Sequence, residues 1–466
     1  MSSFKSASEY IASLRRLTST RTFLKPSSRK SSLDEIIGSS IPFIPSLSPV
    51  ELRSFSKSLL VIQSAHKLNV NSLVFKTLNK RLLELVDSDD HHSVISALNS
   101  LSQIHREKHD GGPPPLRPDT VWKFLRSPQI MTHASVYDKS ELLTVMSRMN
   151  LKPFDQMMVK AGSTATDSAY FFSESDIDRL RGDPDRGKAN GRIAACILSL
   201  LKLDSFSFRR FSAFSNLLRL IPSRIEEFSP MKLSNLAYSI TASMVLESED
   251  EAGMLPIEES DFRVRLILQI LRNLYRKRSN VSVAAMNQIG VVHFALRNNA
   301  SDIYTDEIQR IHNMRKFLDE CLEESAKDTV NEIHNSKAQK VVRNALDKIG
   351  LFDIMRDEVP VGPFRLDFAL PELKLGIEID GPYHFYYKSS DVTAKTRFKR
   401  IALEHQEEYR IISIPYTELK EEGDKAKFFD EKIRSVLGIG RKVVSLRSEV
   451  KRLIKERNNL GKSRTR

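Results

Sequence analysis

Apolar positions across residues 49–325 recur at intervals of three and four, which predicts amphipathic helices almost throughout. Leu59, Leu60, Ile62, Ala65 and Leu68 share one helix face, and Leu142, Leu143, Val145, Met146 and Met149 share another. Several of these segments resemble each other. Residues 65–70 match 146–151 in character, with a similar helix over 94–106 between them, and 233–244 resemble 286–297 at an offset of 53. A degenerate period near forty residues predicts helix-pair repeats, each burying its apolar face on the next, in a solenoid-like region spanning 49–325. Two stretches interrupt it as expected surface loops: 108–117, with Gly-Gly and three prolines, and 162–191, with Gly182, Pro184, Gly187 and Gly191.

After residue 336 the period changes. Residues 338–349 form an amphipathic helix pattern. In 364–370 the apolar residues fall on even numbers and in 375–380 on odd numbers, the alternation of two strands, with a short turn at 371–374 making a hairpin. If the turn is symmetric about Glu372 and Leu373, paired residues have numbers summing to 745, so Asp367 faces Glu378 and Arg365 faces Asp380 on one side of the sheet. Like charges opposite each other are destabilising. The carboxylates must therefore share a proton, bind a cation or be neutralised by a base, and the hairpin reads as a site. A helix follows over 393–408, with Ala394, Phe398, Ile401 and His405 on its buried face and Lys395 and Lys399 projecting together one turn apart. Residues 409–416 read as a short strand ended by Pro415. Between hairpin and helix lies an aromatic run, Tyr383, His384, Phe385, Tyr386 and Tyr387, in which Phe385 and Tyr387 are expected in the core and the others outside. Exposed rings of this kind stack on unpaired bases.

Charge sharpens this picture at the two ends. The 466 residues carry a formal net charge of +13, yet residues 1–33 hold seven bases and one acid, and 441–466 hold ten bases and two acids. The intervening chain is close to neutral, so any electrostatic footprint is local. The Ser/Arg-rich, acid-poor start, with Tyr10, Ile11, Leu14 and Leu17 near helical spacing, has the composition of a mitochondrial presequence over 1–33, and a matrix location is expected. In 441–466 an apolar stripe runs among Lys451, Arg452, Lys455 and Arg457, predicting a basic helix able to meet phosphates. Seven acids in 247–261 precede six bases in 263–278, among them Arg263, Arg265 and Arg272, which touch phosphates, are masked by the acidic stretch folding back, or form a solvated face. No run of eighteen apolar residues occurs, so membrane insertion is not expected. The two cysteines, Cys196 and Cys321, stand apart without metal-ligand spacing and read as reduced, buried thiols.

Within the order helix, hairpin, helix, strand, the segments RLDF, LKLGIEIDGPYHF, KRIALE and YRIISIPYTEL resemble the RAP domain over 336–438. The order itself is similar to the core of PD-(D/E)XK nucleases, and the helical region loosely resembles that of the FAST-kinase family. The resemblance implies a helical-repeat region followed by a small α/β domain of PD-(D/E)XK nuclease-like fold. It also implies RNA as partner: an organellar rRNA or mRNA, with mitochondrial ribosomal proteins as further candidates. Tyr383, His384, Tyr386, Lys395, Lys399 and Arg400 would then contact RNA, helped by Lys451, Arg452 and Lys455 of the tail. In active nucleases of this fold an aspartate and a glutamate hold Mg²⁺ and a lysine two residues on stabilises the attacking water. Asp367 and Glu378 match the metal positions, whereas Asp380 stands where the lysine would be, with Lys395 or Lys399 of the next helix as a migrated substitute. Two functions stay open beside each other: an RNA binder without cofactor in processing, stability or ribosome assembly, including a structural ribosomal component, and a Mg²⁺-dependent ribonuclease.

Overall fold

The computed structural model describes residues 6–19, 37–66, 70–107, 115–127, 130, 133–151, 172–204, 212–248, 257–297, 302–330, 337–420, 423–440 and 445–464. Leu68, the 108–114 part of the first expected loop, 162–171 of the second, most of the acidic stretch between 249 and 256, and 441–444 of the basic tail lie outside them. The chain is mostly helical with one small sheet near its C-terminal end, and it divides into two compact units: Met1–Phe206 with Arg210–Leu218, and Ser207–Arg209 with Arg219–Arg466.

The first unit contains α1 (Ala7–Ser19), α2 (Pro49–His66), α3 (Ser72–Glu84), α4 (His91–Glu107), α5 (Pro118–Arg126), α6 (Val136–Arg148), α7 (Glu174–Gly182), α8 (Arg186–Lys202) and α9 (Ser212–Leu218). Helices α2, α4, α6 and α8 pack in sequence, each on the next, while α3 and α5 pair alongside. Polar side chains stitch neighbours together. His92 Nδ1 lies 2.7 Å from Asp138 Oδ1, Arg148 donates to Asn99 Oδ1 at 2.6 Å, and Arg192 donates to Glu141 at 2.5 Å. Helices α2, α4, α6 and α8 start at Pro49, His91, Val136 and Arg186, so the spacing is 42, 45 and 50 residues, irregular and lengthening from the expected forty. The expected loop at 162–191 also needs correcting, since α7 and the start of α8 occupy its second half. A capping box between Ser173 and Asp176 starts α7, Asp185 caps α8, and Ile177 and Leu180 are buried. Glycines at a helix end or in its first turn cost little. Of the start of the chain, α1 buries Tyr10, Ile11 and Leu14 and packs on α2, and Ser8 hydrogen-bonds Glu51 at 2.6 Å.

The second unit opens with α10 (Pro230–Glu247), α11 (Ile257–Arg276), α12 (Val283–Leu296), α13 (Asp302–Arg310) and α14 (Met314–Val330). Helices α10, α12 and α14 again pack in sequence, and Gln288 bridges Ser234 and Asn235 at 2.6 and 2.7 Å across the pair whose sequences resemble each other. Both cysteines are buried as expected. At Arg263 the masking by acids of 247–261 holds, and neither the phosphate contact nor the solvated face does. This arginine is wholly buried, donating to Glu247 at 2.6 Å, Ser243 at 3.1 Å and Glu259 at 3.2 Å, so it touches no phosphate.

The rest of this unit is α15 (Lys337–Lys348), β1 (Arg356–Val361), β2 (Phe364–Leu370), β3 (Leu375–Asp380), α16 (Ala394–Glu407), β4 (Arg410–Pro415), α17 (Tyr416–Lys420), α18 (Lys425–Leu437) and α19 (Leu446–Arg464). The strand order is β1-β2-β3-β4, antiparallel except for the last pair, where α16 provides the crossover that parallel strands require. The hairpin follows the predicted sum of 745 in its three pairs next to the turn, Phe368 opposite Ile377, Ala369 opposite Gly376 and Leu370 opposite Leu375, and the expected pairs Asp367/Glu378 and Arg365/Asp380 are not among the paired residues. One core joins Val342, Leu346, Phe368, Ile377, Ile414, Phe429, Ile433 and Val450, so α15, α18 and α19 enclose the sheet with it, and a smaller core sets Leu403 of α16 beside Leu366 and Ala369. Burial of such apolar surface supplies most of the stability of so small a sheet.

This α/β module is built onto the helices of its own unit. Tyr238 of α10 meets Phe398 edge-on at 5.6 Å, Phe294 of α12 meets Phe364 at 5.7 Å, and Gln406 donates to the Ala295 carbonyl at 3.0 Å. Gly362, at φ +57, lets the β1–β2 turn approach so closely that a Cβ there would stand 2.3 Å from the Phe294 ring. The buried face of α16 is accordingly Ala394, Phe398, Ile401 and Gln406, and His405, expected inside, is exposed. A helix packed between a sheet and a second helical layer buries a wider arc than one stripe.

Candidate functional site

The hairpin brings together the side chains that the alternation singled out, but it divides them into two separate networks. Asp367 accepts the Ile379 backbone N–H at 2.7 Å and the Gln339 amide at 3.0 Å. Glu378 is buried, and its Oε2 accepts Lys399 Nζ at 2.6 Å; the same ammonium donates to the Arg365 carbonyl at 2.6 Å. Glu378 Oε1 has no hydrogen-bond partner among the described residues. Burial raises the Glu378 carboxyl to about 7; Lys399 opposes that shift and the negative charge of Asp367 adds to it.

Asp380 anchors the second network and has no exposed surface. Its Oδ1 lies 2.9 Å from His384 Nδ1, and its Oδ2 accepts from both Arg400 and Ser413. Arg400 also donates to Ser413 at 2.6 Å, closing a ring of three. Burial pushes the Asp380 carboxyl up, but the hydrogen bonds from His384 and Ser413 and the charge of Arg400 outweigh it, and the group lies below the ordinary aspartate range. Arg365, expected opposite Asp380, instead donates to Glu358 of β1 at 3.2 Å. Glu358, at φ +49, also accepts the Gln339 amide at 2.5 Å, and neither β1 nor these partners were foreseen.

Other sequence-predicted residues separate by exposure. Tyr383 is 57% exposed, while Tyr386, expected outside, is 2% exposed and accepts the Ala394 N–H at 3.1 Å. Tyr387, expected inside, is 40% exposed, and Phe385 is half-buried against Tyr416. The turn at Pro382–His384 resets the alternation, which reverses the inward and outward positions after it. Lys399 and Arg400 are turned inward by the carboxylates and are not surface cations, whereas Lys395 is exposed. In α19, Lys451 and Lys455 are exposed, and Arg452 is tied to Glu449 and Glu456 at 3.0 and 2.6 Å.

The fit of Mg²⁺ to this set is poor. Lys399 sits on Glu378 where a cation would neutralise it, Asp367 is met by an amide and a backbone N–H, and Asp380 points its charge into Arg400 and Ser413. Among the described residues no group of three or more His, Cys, Asp or Glu is arranged to hold a metal ion. Octahedral Mg²⁺ needs open carboxylate oxygens and room for several waters.

Beside both networks lies a pocket of about 560 Å³. Its wall combines the first turn of α15, Asp367 and Ile379 of the hairpin, the Gly381–His384 turn, and Tyr416, Leu419 and Lys420 of α17. Lys337, Tyr416 and Lys420 were not singled out in the sequence, because positions this far apart carry no shared pattern.

The RAP domain model matches residues 377–428, from the second hairpin strand into α18, so the chain carries a RAP domain. A domain of this type points to RNA binding in general. A search of curated proteins finds no match to the chain. No helix of the described residues is long and apolar enough to cross a membrane.

Proposed function

We propose that the protein is an RNA-binding factor of mitochondria that acts without catalysis, in the processing, stability or ribosomal assembly of an organellar rRNA or mRNA. The RAP domain carries the RNA part of this reading. The non-catalytic part rests on one observation: of Lys395 and Lys399, the two candidates to replace the missing catalytic lysine, Lys399, which reaches the carboxylates, is spent as an internal counter-ion of Glu378 and a donor to the Arg365 carbonyl, and Lys395 is exposed. A buried lysine that neutralises a carboxylate in the ground state holds the pair closed. We take residues 49–325 as the helical platform and 336–438 as the RAP module, with the exposed lysines 395, 451 and 455 giving the phosphate contacts.

The mitochondrial address rests on the basic, acid-poor composition of residues 1–33. Tyr10, Ile11 and Leu14 are buried in the first unit, which supports retention of α1 after import over removal of the whole presequence expected at 1–33. Mass spectrometry of the organellar protein tests this. Detection of a peptide containing Tyr10 is expected, and a mature form starting after residue 33 would contradict it.

The function is tested with the full chain and end-labelled organellar RNA, in Mg²⁺ or EDTA, run on native and denaturing gels. A salt-sensitive shift with intact RNA is expected. Mg²⁺-dependent shortening that Asp367→Ala and Glu378→Ala abolish would make the protein a nuclease, and co-sedimentation with a ribosomal subunit at fixed stoichiometry would make it a ribosomal component.

A further inference from the structure

We propose that the pocket between α15, the Gly381–His384 turn and α17 takes one unpaired nucleotide of the bound RNA, with the base inside and its phosphate at the mouth; this rests on the RNA-binding reading. Four observations converge on it. The volume of about 560 Å³ suits one ring system with its sugar and excludes a duplex. The walls are largely apolar, from Ala338, Val341, Ile379, Pro382 and Leu419, with the Tyr416 ring tilted against Phe385 at a centroid distance of 6.5 Å and carrying the Lys420 ammonium 4.8 Å from its centroid. Such a wall with one aromatic face is how sequence-tolerant proteins hold single bases.

The polar groups fall where a nucleotide needs them. Asp367 reaches the pocket with each oxygen already accepting one bond, and a carboxylate oxygen has a second lone pair. It therefore favours a base edge that presents N–H groups. Lys337 and Lys420 are exposed and line the mouth, and the first turn of α15 between them favours an anion. His384 is the fourth element. Asp380 holds its Nδ1, and Arg400 and Ser413 hold Asp380, so the ring is fixed while Nε2 has no protein partner among the described residues. A carboxylate that fixes one ring nitrogen leaves the other to meet a ligand. That role gives a reason for the buried ring around Asp380 that sheet stability alone does not require.

The test uses the full chain and single-stranded random-sequence RNA carrying one 4-thiouridine or one 6-thioguanosine, photo-crosslinked and located by peptide mass spectrometry. Crosslinks on the peptides carrying Tyr416 or His384 are expected. Ala338→Phe, which fills the pocket without changing charge, should remove them and weaken binding by roughly 5- to 150-fold, the loss of one stacked base. Because a filled pocket can disturb folding, Lys337→Gln with Lys420→Gln is the second variant. Both lysines are exposed, so an unchanged melting temperature with weaker binding is expected. RNA bound normally by both variants, with crosslinks elsewhere, would overturn the pocket and leave the RNA reading intact. No RNA bound by the unaltered protein would overturn that reading itself, and the pocket with it.

Discussion

The second compact unit contains two buried charge networks of similar make. In one, Arg263 is enclosed by Glu247, Glu259 and Ser243 between α10 and α11. In the other, Asp380 is enclosed by Arg400, Ser413 and His384 between β3, α16 and β4. Each hides one ion completely and meets it with opposite charge and a hydroxyl. They differ in where they end. The partners Glu247 and Glu259 are themselves buried, although Arg219 reaches Glu259 from outside at 3.6 Å, and the network lines no described pocket. The Asp380 network runs out through His384, a half-exposed ring on the pocket wall. Both networks reach a surface residue, Arg219 in the first and His384 in the second, and only the second meets the described pocket, where it can present a group to a ligand. Burial and ion pairing alone therefore do not mark a functional site.

The comparison predicts opposite behaviour on mutation. Arg263→Ala leaves two buried glutamates uncompensated and should cost about 3–5 kcal/mol, read from the denaturant midpoint. The RNA affinity of the fraction still folded should not change. Loss of that affinity would break the distinction between the two networks. Asp380→Asn is expected to cost less, about 2 kcal/mol, since the amide still accepts one bond while Arg400 loses its charge partner. It should also weaken RNA binding, by freeing the His384 ring. If RNA binding is untouched, the end of the network at the pocket has no role.

The hairpin and its register next to the turn were legible because strict alternation on each side of a short turn leaves a single register that buries both apolar rows. Strand β1 was not legible. Its sequence, RDEVPV, mixes charge with Pro360, and Glu358 at φ +49 breaks the pleat, so there was no alternation to read. Missing it meant missing Glu358 as the partner of Arg365. The aromatic run failed for a related reason, because five consecutive rings contain no period and a tight turn decides which face inward. Helix α7 did leave a signal, Ser173 followed three residues on by Asp176, which glycines nearby concealed. The pocket left none, since tertiary packing alone brings Lys337, Asp367 and Tyr416 together.

Two carboxyls of the hairpin strand should pull stability in opposite directions with pH. Glu378 is raised to about 7 in the folded protein, so its neutral form favours the fold, and stability should fall as pH climbs from the ordinary glutamate value of 4.5 through 7. Asp380 is lowered, so its contribution is present above the ordinary aspartate value and is lost as pH falls through its folded value. Glu378→Gln should flatten the upper slope while leaving the acid limb in place. Melting curves across this range check both limbs, and an unchanged upper slope would show that Lys399 keeps Glu378 ionised throughout.

The smallest effect expected on stability separates lysines by the direction they face. Lys451 and Lys455 stand exposed on α19, and Lys399 is drawn inward onto Glu378. Lys451→Gln with Lys455→Gln should leave the melting temperature within error, because surface charges of this kind contribute little to folding. For every phosphate that is no longer neutralised, the dependence of log affinity on log salt should become shallower by about 0.7 for single-stranded RNA. Lys399→Gln should do the reverse, lowering stability and leaving the slope as it was, because an ammonium already paired inside the protein releases no counter-ion from RNA. The decisive comparison is the salt slope of the two variants side by side. If Lys399→Gln is the one that flattens it, the ammonium leaves Glu378 when RNA binds, and the hairpin carboxylates open on binding instead of serving as a fixed scaffold.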